Sequence, residues 1–169
     1  SGSKNSSLPI LAASLLADSP SIIHDLPNLT DMENMAMIIQ SLGGQADIKD
    51  QECYLFTPNI ITHEAPYDLV KSLRASFLVA GPLLARAGKF KLPLPGGCPI
   101  GSRPVDLHLK GFSSLGAIIS INQGYAEAYA ENLRGAGVYL DFPSVGATEN
   151  ILMAACLAEG QTIIENAAT

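Results

Sequence analysis

Three segments of the chain are apolar over nearly their whole length and are rich in alanine and glycine. They cover residues 8–17, 75–87 and 147–158. A helix that is apolar on every face is buried on every face, and small residues let a neighbouring helix approach closely. The pattern therefore predicts three central helices with the strands outside them, the middle helix being kinked at Pro82.

Two further helices are predicted from the signals at their ends. The first begins at Thr30, with Glu33 three residues later as in a capping box, and ends at Gly43. The second begins at Ser102 and ends at Gly116. Glycine is favoured at the left-handed position that directly follows a helix.

A pair of short strands follows each of these two helices. Residues 45–48 and 53–57 flank Asp50-Gln51, and residues 118–122 and 125–129 flank Gln123-Gly124. Polar or glycine dipeptides between two apolar runs are typical hairpin turns. The sequence therefore predicts two β-hairpins.

The same order of helices and strands recurs along the chain. Leu16, Leu84 and Leu157 each lie at the end of an apolar helix, just before a polar link and a strand, at spacings of 68 and 73 residues. A period of this size indicates a repeated supersecondary unit. We expect an α/β fold of βαβαββ repeats, about two and a half of them, over residues 1–60, 61–135 and, incomplete, 136–169.

The first apolar segment, residues 8–17, belongs to this repeat, so we interpret it as a helix of the fold and not as a signal peptide. The third repeat stops at Thr169, and no strand precedes the first helix. We therefore expect residues 1–169 to be a single, partial domain of something longer.

Composition and charge narrow the class of protein. The chain has 169 residues, of which 47% are hydrophobic and 15% charged, a balance that excludes intrinsic disorder. Its formal net charge of −6 argues against a general nucleic-acid surface. The longest apolar stretches, such as residues 77–85, are too short to span a membrane.

The three cysteines are an odd number, widely spaced and without a Cys-x-x-Cys pair. This argues against a disulfide framework or a structural zinc site and favours a reducing, cytoplasmic environment. Cys53 lies in an apolar strand and Cys156 in an alanine-rich helix. We expect both to be small buried hydrophobic residues.

Cys98 is different, because it lies between glycines and Pro99 and cannot occupy a regular core position. The nearby helix start and the cation Arg103 would lower the pKa of its thiol and make it reactive. The alternative is an idle loop thiol. Asp106 and His108 follow in the next turn, where an acidic residue ordinarily complements the helix dipole and a lone histidine is ordinarily a satisfied polar residue.

Lys4, Arg74, Arg103 and Ser144 all lie at or near helix N-termini of equivalent repeats. Taken singly, Arg103 could form a surface ion pair and Ser144 could simply cap its helix. If the repeats pack around a common axis, however, these N-termini converge on one face. Several helix dipoles and cations would then form a site for a multiply charged anion.

Four stretches of the chain together resemble one enzyme family, UDP-N-acetylglucosamine 1-carboxyvinyltransferase, the bacterial enolpyruvyl transferase of the first committed step of peptidoglycan synthesis. The resemblance runs along essentially the whole chain, and the cysteine loop is its most specific part. The stretches are Ser3-Lys4-Asn5, Leu73-Arg74-Ala75-Ser76, Pro95-Gly96-Gly97-Cys98-Pro99-Ile100-Gly101-Ser102-Arg103-Pro104-Val105-Asp106-Leu107-His108 and Ser144-Val145-Gly146-Ala147-Thr148-Glu149-Asn150.

The resemblance implies an inside-out α/β barrel, with two domains of three βαβαββ units each and the active site between them. It implies transfer of enolpyruvyl from phosphoenolpyruvate to the 3-hydroxyl of UDP-N-acetylglucosamine, with release of phosphate. It further implies a cytoplasmic enzyme that needs no metal and no cofactor, and the second domain of the parent chain as partner.

The resemblance also implies roles for single residues. Cys98 would be the general acid that protonates the enolpyruvyl methylene, and the thiol that fosfomycin alkylates. Lys4 and Arg103 would hold phosphoenolpyruvate, with Asn5 nearby. The residues implied to line the UDP-sugar site are Arg74, Arg103, Pro104, Val105, Asp106, Leu107, Phe142, Pro143, Ser144 and Val145.

Two alternatives remain open at this point. One is a binding or structural module on the same repeats without catalysis, and the other is the shikimate-pathway enolpyruvyl transferase, which shares the fold but lacks the cysteine loop. Because the family's catalytic base lies in the second domain, we expect the isolated chain not to turn over substrate.

Overall fold

Helices and strands alternate along the computed structural model, which describes residues 2–95 and 105–168. The helices are α1 Lys4–Ala13, α2 Thr30–Ser41, α3 Tyr67–Ser72, α4 Ala80–Ala87, α5 Asp106–Ser114 and α6 Val145–Ala155, with 3₁₀ helices at Ser14–Leu16 and Arg74–Val79. The strands are β1 Ser21–Ile23, β2 Gln45–Lys49, β3 Glu52–Phe56, β4 Lys89–Pro93, β5 Ile118–Asn122, β6 Tyr125–Tyr129, β7 Gly137–Tyr139 and β8 Ile163–Glu165. The predicted mixed α/β class is confirmed.

The strands form two antiparallel sheets of three strands and one parallel pair. The sheet orders are β1-β3-β2 and β4-β6-β5, and β7 pairs with β8. Asp50 and Gln51 have φ of 49° and 67°, and Gln123 and Gly124 have φ of 50° and 81°. Two consecutive left-handed residues are the geometry of tight hairpin turns. Both predicted hairpins are therefore confirmed.

The sheets lie outside the helices, and each turns one face to them. On β3, Cys53 and Leu55 are buried, while the alternate residues Glu52 and Tyr54 are exposed. This alternation is the signature of a sheet with one solvated face. Within the described residues the three sheets are not joined, so they do not form a closed barrel.

The three apolar helices are less deeply buried than their sequence predicts. The middle segment is buried continuously over residues 76–84, whereas α1 exposes 46% of Ile10 and α6 exposes 52% of Leu152. The prediction of burial on every face is therefore wrong for α1 and α6, because each borders the core with one side in solvent. No helix in the described ranges is long and apolar enough to cross a membrane.

The middle apolar segment changes helix type and does not form one kinked helix. It is 3₁₀ over Arg74–Val79 and α-helical from Ala80, so Pro82 falls in the first turn of α4. Proline is tolerated there because the first N–H groups of a helix have no intrahelical acceptor.

The helix ends follow the local signals at their C-termini. Gly43 and Gly116 have φ of 109° and 98°, and each follows a helix. Behind Gly43, the N–H of Gly44 donates to the Ile39 carbonyl at 3.0 Å, and behind Gly116 the N–H of Ala117 donates to the Phe112 carbonyl at 3.0 Å. These are Schellman bonds, which satisfy carbonyls in the last turn.

The predicted capping box at Thr30 is wrong. Thr30 is the first residue of α2, and Leu29 occupies the N-cap position with φ −136° and ψ 142° and without a side-chain cap bond. The helix thus begins one residue before the position that a threonine cap requires. The start predicted at Ser102 lies outside the described residues, and α5 begins at Asp106. By contrast, Ser144 caps α6 by accepting from the Ala147 N–H at 3.3 Å.

The two cysteines in the described ranges have opposite environments. Cys53 is fully buried in β3, and this burial raises the pKa of its thiol to about 11, as suits a hydrophobic core residue. Cys156 is exposed, contrary to prediction, because α6 ends at Ala155 and the thiol lies at its C-cap on the solvent side.

Thr57 is the site of a stability prediction. Its side chain is 1% exposed, and its hydroxyl has no hydrogen-bond partner among the described residues. A buried unsatisfied hydroxyl costs about 1–3 kcal/mol, so Thr57→Val is expected to raise the free energy of unfolding by about 1 kcal/mol. Urea denaturation followed by circular dichroism measures this.

The matched control for this substitution is Ser76→Ala. Ser76 is equally buried, but its hydroxyl donates to the Val70 carbonyl at 3.0 Å. Removal of this satisfied hydroxyl is expected to destabilise the fold by about 1 kcal/mol. If Thr57→Val destabilised the chain as Ser76→Ala does, the hydroxyl of Thr57 would have a partner and the prediction would be wrong.

Candidate functional site

A cleft of about 700 Å³ opens where the N-terminal turns of several helices meet. It lies between the first turns of α1, α5 and α6 and the start of the 3₁₀ helix Arg74–Val79. The convergence expected from the sequence repeat is therefore observed. The lining residues are Asn5, Leu8, Pro9, Lys71, Arg74, Ala75, Phe77, Leu78, Pro95, Val105, His108, Val145, Gly146 and Glu149.

The cleft is suited to an anion because of both its helix ends and its cations. The N-cap residues Ser3 of α1 and Val105 of α5 make no side-chain cap bonds. First-turn N–H groups with a partial positive charge are favourable ligands for phosphate or carboxylate. Lys71 and Arg74 add side-chain cations, and neither forms an ion pair within the described residues.

Four of the residues that the sequence assigns to ligand binding line this cleft: Asn5, Arg74, Val105 and Val145. They come from four separate segments of the chain, between residues 5 and 145. Asn5 and Arg74 are exposed, and so is Val145. Their side chains are therefore accessible to a ligand, although their individual roles stay predictions.

Lys4 lies next to the cleft residue Asn5 but points to another partner. Its ammonium forms an ion pair with the Asp31 carboxylate in the first turn of α2. The side chains of Lys4 and Asp31 are 51% and 25% exposed. A surface pair of this kind is weak, so a ligand phosphate could take over the Lys4 ammonium at little cost.

The other predicted sugar contacts are more dispersed. Leu107 is a core residue, 3% exposed, whereas Asp106 is exposed at the start of α5. Phe142 and Pro143 are exposed in the loop before α6, next to the cap residue Ser144. None of these five side chains lines the cleft. Their ligand roles stay predictions.

One ion pair holds the loop before α6 against α5. The Lys110 ammonium lies 2.9 Å from both carboxylate oxygens of Asp141, directly before Phe142. Both side chains are largely exposed, so the pair orients the loop more than it stabilises the fold.

Cys98, Arg103 and Pro104 lie outside the described residues. The residues that border this segment, Pro95 and Val105, both line the cleft. The two ends of the cysteine segment therefore meet at the site where the helix N-termini converge.

Two titratable cleft residues, His108 and Glu149, received no role from the sequence. Burial lowers the pKa of His108 to about 4, so its ring is neutral at physiological pH. Burial also raises the pKa of the Glu149 carboxyl. A signal for Glu149 was available, because it is the one charged residue of the largely apolar helix α6. His108 carries no such signal, because its partner is 42 residues away.

The described residues hold no group of three or more histidine, cysteine or carboxylate side chains arranged to bind a metal ion. The cleft-lining residues that the structure describes supply cations, an amide, a carboxylate and an imidazole.

Comparison with known proteins identifies a family along the whole chain. The model of the family described as EPSP synthase (3-phosphoshikimate 1-carboxyvinyltransferase) matches residues 1–169. UDP-N-acetylglucosamine 1-carboxyvinyltransferase 2 of Carboxydothermus hydrogenoformans is 57% identical over 99% of this chain. UDP-N-acetylglucosamine 1-carboxyvinyltransferase 1 of Caldanaerobacter subterraneus subsp. tengcongensis is 55% identical over 99% of the chain. The chain spans 40% of the length of each of these two relatives.

Solved structures share the fold at lower sequence identity. The enolpyruvyl transferase NikO from Streptomyces tendae superposes with a TM-score of 0.84 at 21% identity, covering 97% of this chain and 39% of that one. EPSP synthase from Acinetobacter baumannii superposes with a TM-score of 0.74 at 18% identity, covering 96% of this chain and 38% of that one. At these identities the likeness concerns the fold alone.

Proposed function

We propose, since the chain belongs to the EPSP synthase family, that it forms part of an enzyme that transfers enolpyruvyl from phosphoenolpyruvate to the 3-hydroxyl of UDP-N-acetylglucosamine. Phosphate is released, and the product serves peptidoglycan synthesis in the cytoplasm. The observation that carries the proposal is the cleft, where helix N-termini, Lys71 and Arg74 meet the ends of the cysteine segment.

The reaction has two steps, and this chain can supply the acid and the cations that they require. In the first, the sugar hydroxyl gives its proton to a base, which we place in the second domain, its oxygen bonds to C2 of phosphoenolpyruvate, and an acid adds a proton to the methylene carbon. In the second, a proton leaves that carbon and phosphate leaves C2, which restores the double bond. A positioned acid must deliver the first proton, and cations must stabilise the phosphate and carboxylate charge.

We assign the acid to Cys98 and the phosphoenolpyruvate contacts to Lys4, Asn5 and Arg103. Cys98 is three residues from Pro95 in the sequence and Arg103 two from Val105, and both bordering residues line the cleft. A thiol next to a cation and a helix N-terminus has a lowered pKa and attacks epoxides, which accounts for alkylation by fosfomycin.

The UDP-sugar is assigned to the α5 and α6 side of the cleft. Val105 and Val145 line it there, and Arg74 lines the same cleft. Ser144 already satisfies the Ala147 N–H, so the first-turn N–H groups of Val145 and Gly146 are the ones suited to the diphosphate. The remaining predicted contacts are Arg103, Pro104, Asp106, Leu107, Phe142, Pro143 and Ser144.

We also propose that the whole protein has the inside-out barrel organisation, with a second domain that completes the active site. The two three-stranded sheets support a repeated unit, because both place the third strand of the unit between the other two. The βαβαββ units would cover residues 1–60 and 61–135, with residues 136–169 as an incomplete third unit.

The second candidate is the shikimate-pathway transferase, whose name the matching family model carries. We favour the cell-wall reaction because relatives at 55–57% identity bear that name. Titration of the chain with UDP-N-acetylglucosamine and, separately, shikimate 3-phosphate, followed by chemical-shift changes of Gly146, separates the two. A binding module without catalysis would bind a ligand but would not react with fosfomycin.

The decisive experiment is the intact mass of the chain after incubation with fosfomycin and UDP-N-acetylglucosamine. We expect a single adduct that is absent in Cys98→Ala and present in Cys156→Ala. Cys156 is the matched control because its thiol is exposed but lies at the far end of α6 from the cleft. No adduct, or one that survives in Cys98→Ala, would contradict the proposal.

A further inference from the structure

One buried asparagine connects three helical segments around the cleft. Asn150 of α6 is 0% exposed. Its Oδ1 accepts from the Gly81 N–H at the start of α4 at 2.6 Å, and its Nδ2 donates to the Phe77 carbonyl at 2.8 Å. The same Nδ2 lies 2.9 Å from Nδ1 of His108 on α5. Both polar atoms of the Asn150 amide, Oδ1 and Nδ2, therefore have hydrogen-bond partners.

The backbone determines which way the Asn150 amide points. A backbone N–H only donates and a backbone carbonyl only accepts, so Oδ1 must face Gly81 and Nδ2 must face Phe77. The reverse orientation would place two donors against each other and two acceptors against each other. His108 Nδ1 therefore faces a donor, and in this contact Nδ1 must be the acceptor.

An imidazole whose Nδ1 accepts carries its proton on Nε2. The ring is packed edge-to-face against Phe77, with centroids 5.4 Å apart, and it forms part of the cleft wall. A Cβ added at Gly146 would lie 3.7 Å from Nε2, so Nε2 faces the first turn of α6. The N–H is thus presented where an anion is favoured by the helix end.

Charged side chains of both signs share the cleft with the ring. Lys71 and Arg74 line the same cleft, and Glu149 lines it from α6. On its own helix, Asp106 and Lys110 are exposed. Burial of the ring lowers its pKa to about 4, which keeps it neutral above pH 5.5.

We propose that His108 is a permanent hydrogen-bond donor in the cleft, through Nε2–H, and that Asn150 is the positioning residue that holds this tautomer. The group it takes is an acceptor oxygen of an anionic ligand, in the first place a phosphate oxygen. The identity of that ligand as UDP-N-acetylglucosamine rests on the proposed function, whereas the tautomer does not.

A neutral donor of this kind has a defined advantage over a titrating histidine. It contributes the same hydrogen bond across physiological pH, because there is no change of charge to couple to binding. The single tautomer also removes the competing form in which Nε2 would accept and repel a phosphate oxygen.

The first test is nitrogen-15 NMR of the free chain, which reports the protonation of each ring nitrogen. The chain has three histidines, and His108→Gln assigns the signal of interest, with the exposed His24 as comparison. We expect His108 to show the Nε2–H tautomer unchanged from pH 8 to pH 5.5. An Nδ1–H tautomer, or a titration within this range, would overturn the proposal.

The second test separates positioning from a merely structural role. In Asn150→Asp the carboxylate can accept from Gly81 but can no longer donate to His108 Nδ1. The proton should move to Nδ1, and affinity for UDP-N-acetylglucosamine should fall about tenfold or more, as for one lost hydrogen bond to a charged group. The NMR signal should report the tautomer change directly.

The matched variant is the double substitution Asn150→Asp with His108→Gln. A glutamine amide can place an N–H donor near the position of Nε2, and this donor does not depend on a tautomer. The affinity of the double variant for UDP-N-acetylglucosamine should therefore be close to that of His108→Gln alone. An affinity as low as that of Asn150→Asp would mean that Asn150 acts only through the fold. If the unmodified chain bound no UDP-N-acetylglucosamine, the proposed function would fail. The proposal for His108 would still be decided by the tautomer observed in the free chain.

Discussion

Replacement of Arg86 by methionine is expected to lower the free energy of unfolding by about 3–5 kcal/mol. Arg86 lies in the last turn of α4 and is half-buried. Methionine keeps much of the apolar stem of the side chain and removes only the charged head. The expected loss therefore reports the hydrogen bonds of the guanidinium and not its packing.

Those bonds join three separate parts of the chain. The guanidinium donates to the carbonyls of Leu15 and Ala17 at 2.9 and 3.3 Å. These two residues lie at the end of the first apolar segment. It also donates to the carbonyls of Thr57 and Pro58, at 2.7 and 3.1 Å, in the loop that follows β3. Hydrogen bonds to a charged group contribute about 1.5–3 kcal/mol each, and bonds that share one donor group are not additive.

Urea denaturation of Arg86→Met and of Arg134→Met, side by side, measures this effect. Arg134 is exposed, and its side chain makes no hydrogen bond or ion pair within the described residues, so its replacement should change stability by less than about 0.5 kcal/mol. Equal losses in the two variants would show that removal of a positive charge matters and that the four carbonyl bonds do not.

The second large effect is expected for Gly81→Ala, which should destabilise the fold by about 2–4 kcal/mol. A Cβ at Gly81 would lie 2.6 Å from Oδ1 of Asn150 and closer still to the Asn150 carbonyl oxygen. Overpacking of this kind costs about 1–3 kcal/mol, and the hydrogen bond from the Gly81 N–H to Asn150 adds about 1 kcal/mol when it is lost. The better helix propensity of alanine returns at most about 1 kcal/mol.

The control for Gly81→Ala is Gly137→Ala in β7. A Cβ at Gly137 meets nothing within 4 Å, so alanine there should be neutral or slightly stabilising. Thermal denaturation of both variants measures the difference. A Gly81→Ala chain as stable as Gly137→Ala would mean that α4 and α6 can separate at no cost, contrary to their close packing at Asn150.

Local sequence was sufficient for the turns and for the ends of several elements. Asp50-Gln51 and Gln123-Gly124 form the predicted hairpins, and Gly43 takes the predicted left-handed position after α2. These features depend on the conformational preferences of two or three adjacent residues. A short pattern therefore contains all the information they require.

The errors concern properties that depend on distant neighbours. Cys156 lies in an apolar helix but is exposed, because the burial of a helix face is decided by what packs against it. Thr30 has the pattern of a capping box, yet Leu29 takes the N-cap position. The sequence predicted that α1 and α6 would be buried on every face, but part of each helix is exposed to solvent.

The sequence by itself determined the α/β class and the two hairpins, because these follow from apolar patterns and turn residues that are close together along the chain. The convergence of helix N-termini was predicted on the condition that the segments pack around a common axis. Only the tertiary structure decided the contacts within and around the cleft. Asn150 meets Gly81 and His108 across 69 and 42 residues, and Arg86 reaches Leu15 across 71. Hydrogen bonds of this kind are directional and depend on the positions of individual atoms, which no periodicity along the chain encodes.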